Sequence, residues 1–256
     1  MLRPRLIPSL LIEDGLVVKT TKFKNPKYIG DPINTVKIFN EKYVDEICIF
    51  DISATVGNNE PNYQLISDLA SQSRMPMCYG GGIKTAEQAR KIFNLGVEKI
   101  ALSSILFQNL EIIDELAAEV GSQSIVVVLD IKKRMLGGYD IHTHNGKVNT
   151  KIDLFQFLKM IENKQYGELI INSIDLDGTE KGYDISMIRK VFDIVSKPIT
   201  ILGGAGSLED VKKLYKEFKI IGAAAGSLFI FKGKFKAVLI NYPDLEKKKN
   251  LYNQQS

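Results

Sequence analysis

The sequence has no tryptophan, only two cysteines and no long uninterrupted apolar run. Two cysteines are too few for a disulfide framework, and Cys48 and Cys78 lie in apolar runs where small buried side chains are expected. A membrane-spanning helix needs about 18 consecutive apolar residues, so no membrane association is expected. The first residues, MLRPRLIPSLLIEDG, carry charges where a signal peptide needs apolar residues, and we therefore expect a cytoplasmic protein.

A strong excess of one charge is also lacking, because the formal net charge is only +4. Apolar residues make up 45% of the chain and charged residues 25%, which is typical of globular domains. Basic residues are most concentrated in LEKKKNLYNQQS, and we predict a basic, solvated tail at residues 246–256. No stripe of basic residues is interleaved with aromatic ones, so nucleic acid is not an expected partner.

What is present is a regular alternation of short apolar runs with helix-like segments. The apolar runs are LIPSLLI, EICIFDI, PMCYGGG, KIALSS, SIVVVLDI, ELIINSI, PITILGG and IIGAAAG. Between them, TAEQARKIFNLG and SLEDVKKLYKEF each begin with a residue suited to capping a helix, Thr85 and Ser207. Strands that are apolar on both faces and separated by helices predict a parallel sheet covered by helices. Eight such units predict an α/β fold, a single (β/α)₈ TIM barrel over residues 1–256.

The two halves of the chain, residues 1–120 and 121–245, resemble each other. EICIFDISATV, from Glu46, corresponds to ELIINSIDLDGT, from Glu168, and YGGGIKTAEQARKIF corresponds to ILGGAGSLEDVKKLY. A repeat of about 120 residues predicts two half-barrels of four βα units related by an approximate two-fold axis. The first and fifth strands correspond in this repeat, so Leu11 is the counterpart of Asp130.

Glycine-rich loops follow the third and seventh predicted strands. Glycine lets backbone N–H groups approach an anion, and the helix that follows adds its positive N-terminal end. The next strands end in small or hydroxyl residues that can complete each cradle. We therefore predict two phosphate sites, although paired glycines alone also occur in simple tight turns. The candidates are Gly81, Gly82, Ser103 and Ser104 in the first half, and Gly203, Gly204, Gly226 and Ser227 in the second.

Aspartates end three of the apolar runs, at the rim where α/β barrels carry their active sites. They are Asp51, Asp130 and, after the sixth run, Asp175 and Asp177, the last followed by Gly178. Asp130 is the catalytic candidate, because an acid that ends IVVVLD is costly to bury unless it is used or paired. A capping role for Asp130 and a simple turn at Asp177 and Gly178 are the alternatives. Opposed carboxylates require a second acid at Leu11, and leucine cannot exchange a proton.

Several segments, taken in order, resemble the HisF family, the cyclase subunit of imidazole glycerol phosphate synthase. They are DG with VVK (14–19), GDP (30–32), GGGI (80–83), IVVVLD (125–130), SIDLDGTEKGYD (173–184) and GGAG (203–206). The resemblance extends from the first residues to near residue 231. It implies a barrel that forms a heterodimer with a HisH-like glutaminase, which hydrolyses glutamine and sends ammonia through the barrel to a small phosphorylated substrate. We expect no cofactor.

The resemblance also assigns roles to individual residues. Lys19 is assigned a substrate contact, and phosphate binding is assigned to Gly82, Ser103, Ser104, Gly204, Gly226 and Ser227. At the opposite end of the barrel, four charged residues match the ring that guards the family's ammonia entrance: Arg5, Glu46, Lys99 and Glu168. A salt-bridge network that closes the barrel bottom is the alternative, and the two interpretations are compatible.

The only histidines, His142 and His144, lie in YDIHTHNGK. Their spacing predicts that both lie on one side of a strand, where they could bind a metal. No cysteine or third histidine accompanies them, so we predict no metal site. The segment matches the mobile hairpin after the family's fifth strand, which predicts a flap near the substrate entrance.

The chain departs from the family where the chemistry is expected. Leu11 replaces the first of two catalytic aspartates, Ser103 and Ser104 replace an Asn-Thr pair, and the loop TTKFKNPKY is unusually basic. Because acid–base assistance contributes about 10²–10⁴ in rate, cyclase chemistry should fail here. Rescue by Glu13, in the adjacent turn, is the alternative.

This combination resembles the HisF-like, WbuZ-type branch associated with sugar amidation in surface-polysaccharide and lipopolysaccharide biosynthesis. The branch implies that ammonia passes to a third enzyme, which converts an acetamido group to an acetamidino group on a nucleotide-linked sugar. The alternatives are an authentic cyclase subunit of histidine biosynthesis and a scaffold that transfers no ammonia. Both phosphate loops are kept although a nucleotide sugar has one diphosphate, and the sequence leaves this conflict open.

Overall fold

Eight parallel strands close into a barrel in the computed structural model, which describes residues 3–252. The strands are β1 (Arg5–Glu13), β2 (Leu16–Thr21), β3 (Lys24–Gly30), β4 (Ile47–Asp51), β5 (Met77–Gly80), β6 (Lys99–Leu102), β7 (Ile125–Lys133), β8 (Tyr139–Thr143), β9 (Val148–Asp153), β10 (Glu168–Ser173), β11 (Ile199–Leu202), β12 (Gly222–Ala225), β13 (Phe231–Lys232) and β14 (Ala237–Val238). The barrel consists of β1, β4, β5, β6, β7, β10, β11 and β12, each paired in parallel with the next, and β12 pairs with β1. The predicted (β/α)₈ barrel is therefore confirmed.

Helices connect the barrel strands and cover the outside of the sheet. They are α1 (Pro32–Glu41), α2 (Ile52–Val56), α3 (Tyr63–Gln72), α4 (Ala86–Asn94), α5 (Ile112–Val120), α6 (Leu154–Ile161), α7 (Ile185–Phe192), α8 (Leu208–Phe218), α9 (Ser227–Ile230) and α10 (Leu245–Tyr252). Thr85 and Ser207 begin α4 and α8 with capping boxes, which satisfy backbone donors at the helix starts. Within residues 3–252, no helix is long and apolar enough to cross a membrane.

The barrel strands are apolar on both faces because each face packs into a different core. Successive side chains of a strand point to opposite sides of the sheet. One set packs against the helices, and the other fills the barrel interior. The interior cluster consists of Ile7, Cys48, Cys78, Ala101, Val126, Val128, Ile170, Leu202 and Ala224. The two cysteines are buried and free, as the sequence predicts.

Two antiparallel extensions rise from equivalent places in the two halves. Strands β2 and β3 follow β1, and strands β8 and β9 follow β7, which is the fifth barrel strand. The segment TTKFKNPKY is therefore not a loop, because residues 16–30 pair as an antiparallel ribbon. This unit, β2 with β3, is called the ribbon below.

Four charged side chains meet at the N-terminal end of the barrel. Arg5 donates to Glu46 at 2.6 Å and to Glu168 at 2.7 Å. Lys99 Nζ lies 2.8 Å from Glu46 and 2.9 Å from Glu168. Both glutamate side chains are only 5% exposed. Each charge therefore has two opposite neighbours, an arrangement that offsets the desolvation penalty of buried ions. These four residues are called the charged ring below.

Mutual attraction keeps Glu168 and Lys99 of the charged ring ionised. Burial alone would raise the pKa of Glu168, but Arg5 and Lys99 lower it to about 2. Burial alone would lower the pKa of Lys99, but Glu168 and Glu46 raise it. Both members of this pair therefore stay charged at neutral pH.

The last helix is not simply the solvated end that the sequence predicts. Lys248 is only 6% exposed, and its Nζ donates to Asp45 and to the Tyr43 carbonyl, both at 2.9 Å. The prediction is wrong at this residue because the buried carboxylate of Asp45 needs a cationic partner. Residues 253–256 of the predicted tail lie outside the described residues.

Replacing Glu168 by glutamine leaves Arg5 and Lys99 with one counter-charge fewer in a buried place. We expect the Glu168→Gln variant to lose about 3–5 kcal/mol of unfolding free energy in urea denaturation at neutral pH. Since the folded pKa of Glu168 is depressed, the difference from wild type should shrink as the pH falls from 4.5 to about 2.

Glu217→Gln is the matched control, because Glu217 pairs with Arg189 at 2.6 Å on the surface. Exposed pairs contribute little, so this variant should unfold like the wild type. Equal losses in the two variants would contradict a stabilising role for the charged ring.

Candidate functional site

Asp130 lies near the C-terminal end of β7 and is partly exposed. Its Oδ1 accepts a hydrogen bond from Asn172 Nδ2 at 2.8 Å. Burial raises the pKa of Asp130, the bond from Asn172 lowers it, the charge of Asp177 raises it, and the pKa settles at about 7. A carboxyl that titrates near neutral pH can both take and give a proton, as general acid–base chemistry requires. The catalytic role of Asp130 stays a prediction.

The two halves of the rim differ in polarity. The register between β7 and β10 places Asp130 beside Asn172, whereas the register between β1 and β4 places Leu11 beside Phe50. These two pairs of strands correspond in the internal repeat. An apolar pair therefore occupies, in the first half, the place that a polar pair occupies in the second.

A cavity opens at this rim and contacts both halves. Among the predicted site residues, its walls include Leu11, Asp51, Gly81, Gly82, Ser103, Ser104 and Asp130. Other residues that line it include Phe23, Phe50, Asn58, Lys84, His144 and Asn172. Glu13, the acid considered as a replacement for the missing aspartate, is not among the lining residues. The cavity thus brings the first phosphate loop together with Asp130.

The first glycine loop has the backbone that an anion cradle needs. Gly81 and Gly82 have φ angles of +137° and +71°, which side chains other than glycine rarely adopt. A Cβ at Gly81 would lie 2.6 Å from the Asp51 carbonyl oxygen. Lys84 lines the same cavity and donates to Asn58 Oδ1 at 2.5 Å, which adds a cation near the loop. Phosphate binding at this loop stays a prediction.

The carboxylate of Asp51 caps the helix that follows it. Its Oδ1 accepts bonds from Ser53 N and Ala54 N, both at 3.0 Å, and from Ser53 Oγ at 2.7 Å. These bonds satisfy the free donors at the start of α2. Asp51 therefore shapes the cavity wall, and its contact with a ligand stays a prediction.

The second glycine loop does not line this cavity. The carbonyl of Gly204 accepts a hydrogen bond from Gly182 N at 2.8 Å, and a Cβ at Gly204 would lie 2.1 Å from Gly182 O. Gly203, Gly226 and Ser227 are likewise absent from the cavity walls. The structure therefore does not bring the two predicted phosphate loops into one cavity.

Lys19 and Asp177 contact each other and do not line the cavity. Lys19 Nζ lies 2.5 Å from Asp177 Oδ1, and the two side chains are 5% and 11% exposed. Gly178 packs beneath the ribbon, since a Cβ there would lie 2.6 Å from Thr20 O. These residues fasten the ribbon to the segment after β10. Their predicted substrate contacts stay predictions.

The two histidines do not lie on one side of a strand. Strand β8 ends at Thr143, and His144 has a φ of +53° in the turn that follows. The expected arrangement is wrong because the chain turns before the second histidine. His142 is buried with its Nδ1 3.2 Å from Gly146 O, whereas His144 lines the cavity. The flap role of this hairpin stays a prediction.

Phe50 and Asn172 are site residues that the sequence reasoning missed. The same repeat that pairs Leu11 with Asp130 also aligns EICIFD with ELIINS, and so pairs Phe50 with Asn172. The sequence therefore contains a signal for Asn172, because a polar residue inside a buried strand needs a hydrogen-bond partner.

The closed barrel and the position of the cavity define the class, the (β/α)₈-barrel enzymes whose site lies at the carboxyl ends of the strands. A family model described as "Histidine biosynthesis protein" matches residues 5–236. A relative from Vibrio vulnificus, named "Putative imidazole glycerol phosphate synthase subunit hisF3", is 53% identical over 250 residues, covering 97% of this chain and 96% of the relative.

A second relative, from Saccharolobus solfataricus, is named "Imidazole glycerol phosphate synthase subunit HisF". It is 34% identical over 229 residues, covering 90% of this chain and 91% of the relative. The chain therefore belongs to the HisF family and is a homologue of the imidazole glycerol phosphate synthase subunit.

The raised pKa of Asp130 predicts a pH-dependent stability. The folded state holds this proton more tightly than the unfolded chain, so the stabilisation is complete below pH 3.8 and is lost as the pH rises through about 7. Asp130→Asn cannot ionise, so its stability relative to wild type should increase by roughly 2–4 kcal/mol between about pH 4 and about pH 8 in urea denaturation.

The control is Asp193→Asn, which makes the same change at an exposed aspartate. A difference between Asp130→Asn and wild type that does not vary with pH would contradict the raised pKa.

Proposed function

We propose that this protein is the synthase subunit of a glutamine-dependent amidotransferase, with little cyclase activity of its own. It receives ammonia from a HisH-like glutaminase and delivers it for amidation of a nucleotide-linked sugar in surface glycan biosynthesis. The observation that carries the proposal is Leu11, which lines the cavity where the repeat and the family pattern both require an acid. Neither Leu11 nor its neighbour Phe50 can exchange a proton, so the pair of opposed acids is incomplete.

The barrel interior supports a passage for ammonia. Between the charged ring and the rim, the interior cluster is apolar, and several of its members are small, such as Cys48, Cys78, Ala101 and Ala224. Ser9, buried on β1, is a polar residue at the same level. An apolar interior disfavours charged ammonium far more than the neutral molecule. We assign the charged ring to the entrance and the rim to the exit.

The exposure of the charged ring supports a docking place for the glutaminase at this end of the barrel. Its cationic side chains, Arg5 and Lys99, are 22% and 20% exposed, whereas its glutamates are almost covered. The ring therefore opens to the N-terminal face of the barrel, which we assign to the glutaminase in a heterodimer. A third, amidating enzyme is assigned to the opposite rim.

An authentic cyclase subunit of histidine biosynthesis is the second candidate. The observation that favours it is Asp130, which keeps a hydrogen-bonded partner in Asn172 and a pKa of about 7. One acid–base group in this state could still assist a proton transfer. The two candidates differ in what the barrel does with ammonia once it reaches the rim.

A cyclase assay separates the two candidates. With ammonia and the aminoimidazole ribonucleotide precursor of imidazole glycerol phosphate, we expect the wild type to turn over at a rate about 10²–10⁴ lower than Leu11→Asp, because only the variant has opposed acids. Leu11→Asn is the matched control, since asparagine has nearly the same shape as aspartate but is not an acid. Robust turnover by the wild type would contradict the proposal and favour the cyclase.

The passage is tested in the complex with its glutaminase and acceptor enzyme. Lys99→Met breaks the charged ring at the entrance, so glutamate formed per amidated product should rise severalfold while product formed from added ammonia is kept. Lys91→Met alters an exposed lysine paired with Glu87 and should leave the ratio unchanged. An unchanged ratio in Lys99→Met would indicate a scaffold.

A further inference from the structure

We propose that the barrel interior contains a binding site for one neutral ammonia molecule, at Ser9 on β1 and the two cysteines beside it. The inference rests on the proposed function, because it names the place where the passing molecule is held between entrance and exit. Ser9, Cys48 and Cys78 are called the interior station below.

The side chain of Ser9 points into the barrel. Successive side chains of a strand alternate between the two faces of the sheet. On β1, Leu10 belongs to the outer core, whereas Ile7 belongs to the interior cluster and Leu11 lines the cavity. Ser9 shares the face of Ile7 and Leu11 in this alternation, so its hydroxyl faces the interior.

The hydroxyl of Ser9 has no partner in the protein. Ser9 is only 3% exposed, and within residues 3–252 its Oγ makes no hydrogen bond. Buried polar groups are nearly always hydrogen-bonded, because an unpaired one destabilises the fold. A buried hydroxyl without a partner therefore indicates a ligand that is not part of the chain.

Two thiols extend the site on the neighbouring strands. The strand registers place Ser9 beside Cys48 on β4, and Cys48 beside Cys78 on β5. Both cysteines are free and buried, and both belong to the interior cluster. Because a thiol is a weak donor and a weak acceptor, the row offers a small molecule one strong and two weak hydrogen-bonding groups.

The interior station lies between the charged ring and the rim. Glu46 of the ring precedes Cys48 by two residues, and Leu11 of the cavity wall follows Ser9 by two. Two residues of a strand span about 7 Å. A molecule held at the station is therefore about one such step from the entrance and one from the exit.

Small side chains are gathered on one side of the interior. On β12, β1, β4, β5 and β6, which are consecutive in the barrel, they are Ala224, Ser9, Cys48, Cys78 and Ala101. The opposite side, formed by β7, β10 and β11, has the larger branched residues Val126, Val128, Ile170 and Leu202. The room for a small molecule is therefore next to the station, away from the barrel axis.

The chemistry of the station fits neutral ammonia. Ammonia accepts one hydrogen bond with its lone pair, which the Ser9 hydroxyl can donate, and its N–H groups can contact the thiol sulfurs. Ammonium would lose its hydration at a place with no carboxylate beside it. A buried water usually makes roughly three hydrogen bonds, more than a single hydroxyl and two weak thiols provide.

Ser9→Ala removes the hydroxyl and little else. In the complex with the glutaminase and the acceptor enzyme, glutamate formed per amidated product should rise roughly two- to tenfold, the factor that one hydrogen bond contributes. Product formed from added ammonia, which enters at the rim, should not change. Ser9→Cys keeps a weak donor of similar size and should give an intermediate ratio.

Ser173→Ala is the matched control, because it makes the same change at a buried serine of another barrel strand. The register of β10 places Ser173 beside Ile131, which belongs to the outer core, so its side chain is outside the passage. This variant should keep the wild-type ratio of glutamate to product.

Thermal unfolding separates a ligand-binding role of Ser9 from a structural one. Because its hydroxyl has no partner in the protein, Ser9→Ala should unfold at the temperature of the wild type or at a higher one. A structural role predicts a lower unfolding temperature for this variant.

Added bulk at the interior station gives a second test. Cys48→Val enlarges a side chain beside Ser9 and removes a thiol, so the ratio of glutamate to product should again rise. Val126→Leu enlarges a side chain on the opposite side of the interior and should leave the ratio unchanged.

A wild-type ratio in Ser9→Ala, an equal rise in Ser173→Ala or a lowered unfolding temperature of Ser9→Ala would each overturn the station. If the wild type couples glutamine to product and Ser9→Ala does so equally well, the station alone fails and ammonia delivery stands. A wild type that forms no product from glutamine contradicts the proposed function, and the station with it.

Discussion

The parallel register that closes β12 onto β1 is the constraint on which the rest of the structure depends. It fixes which residues of neighbouring strands lie side by side at each level of the barrel. At the lower end it brings Arg5, Glu46, Lys99 and Glu168 into one network, and at the upper end it pairs Asp130 with Asn172. A shift of one residue in any strand would reverse which side chains face the interior, so both ends depend on the same ladder of hydrogen bonds.

Buried charged groups have different partners at three places in this molecule. The charged ring balances two cations against two anions, so that each ion has opposite neighbours on both sides. Lys19 and Asp177 form a single pair, supplemented by hydroxyl and backbone donors from the ribbon. Asp130 has no cation in contact among its described hydrogen bonds, and its pKa rises accordingly. Buried carboxylates therefore have cationic partners in the charged ring and at Lys19, whereas Asp130 has only an amide partner and a pKa of about 7.

The sequence predicted the barrel and much of the rim because both follow from local patterns. Apolar runs, capping residues such as Thr85 and the position of Asp130 at a strand end are all readable within a few residues. The contact between Lys19 and Asp177 was not predictable, because it joins side chains 158 residues apart. The position of His144 in a turn was not predictable, because a residue with a positive φ leaves no periodic pattern in the sequence. The burial of Lys248 was not predictable either, because its partner, Asp45, lies 203 residues away in the sequence.

The pairing of Leu11 with Phe50 on one side and Asp130 with Asn172 on the other has a further consequence. A perfectly two-fold barrel offers its ligand two equivalent orientations, related by a half turn about the axis, and cannot distinguish head from tail. In this cavity the two sides differ in polarity, so the two orientations are no longer equivalent. A ligand that enters this cavity meets an apolar side at Leu11 and Phe50 and a polar side at Asp130 and Asn172, so its two ends are distinguished.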